Sequence, residues 1–301
     1  MRRTVAVVGL GNIGAAIAGC LQVAGRHDVV ACARRPIDRL ILDCDAGVEE
    51  VSLRTLTDSS GAEPADWVLL CCKAQDTPST APWLAKLCTP DTHVAVLQNG
   101  IDHVARVTPY AGGATVVPTI VYYNGERLTP NHVRLRKVAR YDLMAPDGSA
   151  GRGFVALLDG TTLNVQLSGD FATYAWRKLL LNVVVNPVTA LTLQRQSVLR
   201  RPDVHALCLE VLAEAIAVGK ADGARLKEED AARIMETLFS YSGELGTSMY
   251  FDRLAGRHLE VEALTGAVVA AGERHGVPTP LNRAFLALLR AVSDAAAAGG
   301  S

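Results

Sequence analysis

Apolar residues recur along the chain in two rhythms, and the change from one to the other divides it. Short apolar runs near residues 4–8, 28–33, 67–72, 93–97, 115–122, 131–136 and 161–167 have the length of strands, with helical stretches between several of them. That alternation predicts a mostly parallel sheet covered on both faces. After Gly169 the rhythm lengthens to helical periods, over roughly 171–193, 203–223, 228–242, 259–274 and 281–297, with hardly a strand candidate. The pattern predicts an α/β chain in two parts, a doubly wound domain over 1–168 and an all-helical domain over 169–301. The closing Ala-Ala-Ala-Ala-Gly-Gly-Ser reads as a frayed tail, and no internal repeat is present.

One helical run breaks its own apolar pattern. Lys178, Asn182 and Asn186 stand four residues apart inside 176–191, a spacing that drifts by only about 40° per step and keeps all three on one face. The intervening residues 179–181 and 183–185 are apolar, which marks the helix as buried almost all round. An amide or ammonium buried without a partner costs about 2 kcal/mol or more. The stripe therefore meets a ligand, the economical reading, or forms a hydrogen-bonded network between helices. Pro187 in the same run predicts a loosened turn after Val183 that aims Asn186.

At the amino terminus the first strand runs directly into Gly9-Leu10-Gly11-Asn12-Ile13-Gly14 and then into a helical Ala/Ile/Leu pattern to about Ala24. Strand, glycine turn and helix in this order form a dinucleotide-binding fingerprint of the Rossmann type. Gly9 permits the tight turn, Gly11 lets backbone approach a pyrophosphate, and Gly14 allows close packing of helix on strand. An NAD-preferring site places Asp or Glu at the end of the second strand; this chain has Ala33-Arg34-Arg35. A guanidinium suits a 2′-phosphate, so NADP(H) is the expected cofactor, with Arg34 the first candidate to hold it and Arg35 the second.

Composition narrows the classes. With 301 residues, 49% hydrophobic, 20% charged and a net charge of -1, the chain is a soluble globular protein long enough for two domains. Basic residues are scattered and aromatics are 5%, which argues against a nucleic-acid partner. Met1-Arg2-Arg3 resembles the start of a signal segment, but the apolar run ends at Val8, so neither a secretory signal nor a membrane span is expected. Seven cysteines, with no CxxC pair, suit buried thiols in a reducing cytoplasm, although Cys71 and Cys72 at a strand end are candidates for a reactive thiol. The histidines show no ligand spacing, so no metal is expected. The oligomeric state is left open, a homodimer included.

Over essentially its whole length the chain resembles the ketopantoate reductases (2-dehydropantoate 2-reductases). The motifs occur in order: Gly9 to Gly14; Cys72-Lys73-Ala74; Leu97-Gln98-Asn99-Gly100-Ile101; Trp176-Arg177-Lys178 with Asn182 and Asn186-Pro187; Ser248-Met249 with Asp252; Gly256-Arg257-His258-Leu259-Glu260; and Gly276-Val277-Pro278-Thr279-Pro280 with Asn282. The resemblance implies NADPH-dependent reduction of a 2-oxo acid to its 2-hydroxy acid in a cleft between two domains, with ketopantoate to pantoate, for pantothenate biosynthesis, as the archetypal reaction. It implies Lys178 as the catalytic lysine, with Glu260 as its partner across the substrate. Ser248 would hold the substrate carboxylate; Asn182, Asn186 and Asn99 would bond substrate oxygens or the nicotinamide edge; Lys73 and Gln98 would sit beside the cofactor.

Elementary chemistry supports these roles. Hydride addition at a carbonyl carbon turns the oxygen into a developing alkoxide, and a lysine ammonium supplies both a proton and positive charge to it. Leu264, Ala267 and Ala271 follow Glu260 at helical spacing, which predicts an inward carboxylate, whereas Glu262 reads as the solvated one. Ser248 is also placed to cap the helix that follows it. Two departures from the family pattern bear on the substrate: Glu244-Leu245-Gly246-Thr247 lacks an asparagine that some members carry, and Tyr122 and Tyr123 add bulk. The competing readings are a reductase of another 2-oxo acid, a 3-hydroxy acid dehydrogenase, and an NADP-sensing protein without turnover.

Overall fold

The computed structural model describes residues 2–298. The chain folds as two compact units, one of Met1–Gln98 with Asp102–Phe171 and one of Asn99–Ile101 with the residues from Ala172 on.

The first unit is built on six strands: β1 (Thr4–Val8), β2 (Asp28–Cys32), β5 (Arg54–Leu56), β6 (Trp67–Leu70), β7 (His93–Val96) and β8 (Thr115–Pro118). All their pairings are parallel, in the order β5-β2-β1-β6-β7-β8, which is the doubly wound order of dinucleotide-binding sheets. The central strands bury both faces. Val5 and Val7 enter one core with the helix α1 (Asn12–Ala24), while Ala6 and Val8 enter another with Leu84 and Leu87 of α2 (Ala81–Leu87) and Val107 of α3 (His103–Val107). The helix α1 ends where Gly25 turns left-handed at φ 63°, and the Gly25 N–H closes the helix on Gln22 O and Leu21 O.

The expectation of a mostly parallel sheet is met by these six strands and fails for the rest. A mixed sheet of β3 (Arg39–Cys44), β4 (Gly47–Ser52), β10 (Asn124–Thr129) and β11 (His132–Arg136), in the order β10-β11-β3-β4, packs on α1. A third sheet joins β9 (Ile120–Val121), β12 (Leu143–Pro146) and β13 (Val165–Ser168), with α4 (Ser149–Leu157) against it. The run expected as one strand over 115–122 is thus two strands in different sheets. The strands β3, β4, β5, β10 and β12 escaped the apolar pattern; β4 and β10 are edge strands with mostly exposed residues, so no alternation marks them.

The second unit is helical: α5 (Phe171–Thr192), α6 (Pro202–Ala221), α7 (Asp230–Ser240), α8 (Ser248–Leu254), α9 (Ala267–His275) and α10 (Pro280–Ala298). Its core gathers Trp176, Leu180 and Val184 of α5 with Leu212 and Ile216 of α6, Met235 of α7, Val268 of α9 and Leu289 of α10. The α5 helix continues through Pro187 to Thr192. The expected frayed tail is helical as far as Ala298; its last three residues, like Met1, lie outside the described residues. No helix of the described residues is long and apolar enough to cross a membrane.

Candidate active site

The glycine loop leaves β1 at the point where the sheet order reverses, between β1 and β6, so its backbone is held on both sides: Gly9 N–H donates to Cys32 O at 2.9 Å and Cys71 N–H to Val8 O at 2.8 Å. Each glycine has its own reason. Gly9 has a φ of 95°, and a Cβ there would lie 2.7 Å from Cys72 N; a Cβ on Gly14 would lie 1.9 Å from Gly9 O. Gly11 is different, because a Cβ on it would meet nothing within 4 Å. Gly11 is also the N-cap of α1, with no side-chain cap and no acidic residue in the first turn. An open cradle over the positive end of a helix fits a pyrophosphate. Arg34 and Arg35 follow Ala33 at the end of β2, both exposed.

The carboxyl ends of β6 and β7 carry the next group. Gln98 is buried, and its Nε2 donates to Cys72 Sγ at 3.2 Å and to Thr77 Oγ1 at 3.0 Å, while Thr77 Oγ1 donates to Ala74 O at 2.8 Å. The Gln98 side chain thereby ties together the two strand-end turns, with Lys73 partly buried in the first of them. His103, which no sequence pattern marks, bonds Gln98 O through Nε2 at 2.8 Å; its Nδ1 is buried without a hydrogen-bond partner. A carbonyl acceptor requires the proton on Nε2, so the ring is neutral with Nδ1 bare. Burial accounts for this, drawing His103 down to about 4.

A pH dependence follows. The folded value lies below the ordinary 6.5, so the unfolded chain binds the extra proton first: this contribution to stability is complete above about 6.5 and is lost as pH falls toward 4, by up to ~3 kcal/mol. His103→Asn, which keeps an N–H for Gln98 O, is expected to flatten the loss of unfolding free energy between pH 6.5 and 4 in denaturant titrations. An unchanged acid slope would refute the assignment.

The environment of Cys71 and Cys72 argues against a reactive thiol there. All seven cysteines are free, and burial pushes Cys72 up to about 11 and Cys71 further, so neither supplies a thiolate at neutral pH. Among the described residues no group of His, Cys, Asp or Glu could hold a metal ion. A groove lined by Arg2, Thr4, Gln22, His27, Asp28 and Arg54 lies at the amino-terminal ends of the strands; ligands of doubly wound sheets collect at the carboxyl ends.

In the helical unit the polar stripe of α5 divides in two. Asn186 is only 4% exposed and internally bonded: its Nδ2 donates to Asn182 O and Oδ1, both at 3.3 Å, and its Oδ1 accepts from Ser248 Oγ at 3.4 Å and Met249 N–H at 3.3 Å. This is the network between helices that the spacing allowed as the second reading. It holds the start of α8 against α5, with help from Arg253, which donates to Ala190 O and Leu191 O. Lys178 and Asn182, two turns and one turn earlier, are only partly buried, and Ser248 is exposed. Desolvation draws the Lys178 ammonium below the ordinary lysine value.

The cap of α8 is Thr247, whose Oγ1 accepts from Tyr250 N–H at 3.1 Å and bonds Thr189 Oγ1 at 2.8 Å. The expectation that Ser248 fills this position fails by one residue, which leaves the serine hydroxyl turned to Asn186 and solvent. The segment after α8 is fixed by Arg257, which donates from Nε to the buried Asp252 Oδ1 at 2.9 Å.

Glu260 is 5% exposed and accepts from Asn99 Nδ2 at 3.1 Å. The inward aim holds, but the helical spacing offered for it does not, because Glu260 precedes the helix. Residues 262–266 form a single π turn, with Gly266 N–H donating to Val261 O at 2.9 Å, before α9 begins. Such turns are rare and frequent at functional sites. Glu262 is exposed and paired with Arg290 Nε at 2.7 Å, the solvated carboxylate as expected. The fold brings together Asn99 with Glu260, and Asn182 with Asn186 and Ser248.

The sequence matches the family described as "Ketopantoate reductase PanE/ApbA" over residues 5–147 and "Ketopantoate reductase PanE/ApbA C terminal" over 170–293. The chain is 36% identical over 297 residues to the 2-dehydropantoate 2-reductase of Mycobacterium tuberculosis strain H37Rv, covering 98% of this chain and 99% of that one. Among solved structures it is similar to the PanE/ApbA family ketopantoate reductase of Ralstonia eutropha JMP134 (29% identity, TM-score 0.87, 97% and 99% covered). It is also similar to the dimeric ketopantoate reductase of Staphylococcus aureus (25% identity, TM-score 0.86, 97% and 99% covered). Matched in both of its units and along nearly all of its length, the chain belongs to the ketopantoate reductase family of oxidoreductases.

Proposed function

We propose that the protein reduces 2-dehydropantoate (ketopantoate) to pantoate with NADPH, the first unit holding the cofactor and the helical unit binding and protonating the substrate. The observation that carries this reading is Lys178: an ammonium drawn down by burial, one turn from Asn182 on a helix whose other face is core. A lysine kept partly dry in this way is a better acid than one in water.

NADPH, when bound, would supply a hydride to the carbonyl carbon. Gly9 makes the turn, the backbone N–H groups of Leu10, Gly11, Asn12, Ile13 and Gly14 would hold the pyrophosphate, and Arg34 would pair with the 2′-phosphate. Lys73 and Gln98 flank the nicotinamide side, Gln98 by fixing the turns through its amide. Lys178 gives its Nζ proton to the substrate oxygen as negative charge develops there. Asn182 and Ser248 bond the substrate's oxygens, with Asn186 holding both in place. The Asn99 amide and the Glu260 carboxylate, bonded to each other, present an acceptor that suits a substrate hydroxyl or the lysine. On the likeness to the dimeric Staphylococcus aureus protein, a homodimer is the proposed assembly, and a reducing cytoplasm with seven free thiols the proposed location.

The test is the fall in NADPH absorbance with ketopantoate, compared with 2-oxoisovalerate and with NADH. Preferred turnover of ketopantoate with NADPH is expected; better turnover of another 2-oxo acid would reassign the substrate. Arg34→Ala is expected to weaken NADPH by about tenfold, the scale of one charge-assisted pair, and to leave NADH unchanged. An unaltered ratio of the two Kd values would move the 2′-phosphate to Arg35 or elsewhere.

A further inference from the structure

The strand β10 crosses the start of α1, and three residues in or beside it touch the glycine loop. Tyr123 donates its hydroxyl to Ile13 O at 3.0 Å. The backbone at Gly125 passes so close that a Cβ would lie 2.4 Å from Asn12 O. Arg127 donates from Nη2 to Leu10 O at 2.5 Å and to Gly11 O at 3.0 Å, and from Nη1 to Pro130 O at 2.9 Å. All three acceptors are neutral carbonyls, so no carboxylate among the described residues cancels the charge of Arg127. Burial draws its guanidinium below the usual arginine value. A charge kept among carbonyls in a partly dry position calls for something beyond packing.

The peptide geometry shows what it achieves. No peptide bond among the described residues is cis, and in a trans peptide the C=O and the following N–H point in opposite directions. Holding Leu10 O and Gly11 O toward β10 therefore turns the N–H groups of Gly11 and Asn12 away from it. These are donors at the open end of α1, where Gly11 presents empty space. We propose that Arg127 is the positioning residue of the dinucleotide loop: anchored through Nη1 on Pro130 O, its Nη2 holds Leu10 O and joins Ala15 N–H on Gly11 O, so that the Gly11 and Asn12 N–H groups face a pyrophosphate with its positive charge behind them. A lysine lacks the second nitrogen that anchors the group on Pro130 O, so its single ammonium reaches the loop without that fixed aim.

The inference rests on the NADP(H) reading above, and ligand dissection separates the two. Wild type, Arg127→Met and Arg127→Lys are titrated by calorimetry with NADPH and with 2′-AMP, which carries the 2′-phosphate and adenosine but no pyrophosphate. Expected is an NADPH Kd raised about tenfold in Arg127→Met, a smaller rise in Arg127→Lys, and 2′-AMP affinity unchanged in both. The salt dependence of NADPH binding should also be shallower in Arg127→Met. Equal weakening of both ligands would mean a general structural role, and an unchanged NADPH Kd would remove any role; either overturns the proposal. Should Arg127→Met not fold, equal NADPH affinity in wild type and Arg127→Lys overturns it. Failure of wild type to bind NADPH would overturn the cofactor reading itself, and this inference with it.

Discussion

Lys178→Ala is expected to lower turnover of ketopantoate by roughly 10² or more, the scale set by losing a positioned acid, while the Kd for NADPH stays within about twofold. The two effects separate because Lys178 belongs to α5 of the helical unit and the glycine loop to the parallel sheet of the other. A collapse of the fold would not mimic this result. Desolvation draws the ammonium down, so the folded state holds the lysine's charge less readily than the unfolded one. The sign with pH follows as well. The active form is protonated, so wild-type turnover should fall as pH rises, with a midpoint below the ordinary lysine value, and the variant should lack this alkaline limb. Near wild-type kcat in Lys178→Ala, or an alkaline limb that survives in it, would end the assignment.

Gly11→Val is expected to raise the NADPH Kd about 100-fold or more without unfolding the protein. Its φ of -68° and extended ψ of -164° are open to an ordinary residue, and its Cβ would meet no atom within 4 Å, so the folded chain accepts the side chain. The isopropyl group then fills the space above the amino end of α1 and holds a pyrophosphate off its donors; two charge-assisted hydrogen bonds lost account for about 3 kcal/mol, or a factor of more than about a hundred. Gly14→Ala makes the contrast. There the new methyl would sit 1.9 Å from Gly9 O, so the loop itself must move and stability should fall along with binding. A thermal melt beside a calorimetric titration distinguishes the cases. Tight NADPH binding by Gly11→Val would mean that the pyrophosphate does not cross Gly11.

Local, contiguous features are legible in the amino-acid order itself. The strand β1, the glycine turn and α1 lie within residues 4–24, and the tight turn at Gly9 and the close packing at Gly14 are needs of that one short segment. The long helices are legible because burial on one side writes its period into the chain. Of the candidate site, the stripe on α5 is readable as a shared face, but not how it divides. That Asn186 turns inward to Ser248 and Met249, while Lys178 and Asn182 keep some exposure, depends on a helix 62 residues further along the chain. The inward aim of Glu260 has a cause other than an α period, because the residue precedes a π turn over Glu262–Gly266 and is held by Asn99.

What residues 1–301 carry in themselves is thus the doubly wound sheet, the helical second part, the glycine loop and the polar stripe that holds Lys178, because each is encoded in a period or a spacing short enough to survive without partners. Contacts between distant segments were decided only on folding. The Asn99–Glu260 bond joins residues 161 apart, and Arg127 reaches back 116 residues to Gly11. The Gly47–Ser52 edge strand has so few buried positions that its partner, and no pattern of its own, makes it a strand. A polar side chain has no period to reveal its target. It is placed by whichever buried donor or acceptor the fold leaves within about 3 Å, and that choice exists only in three dimensions.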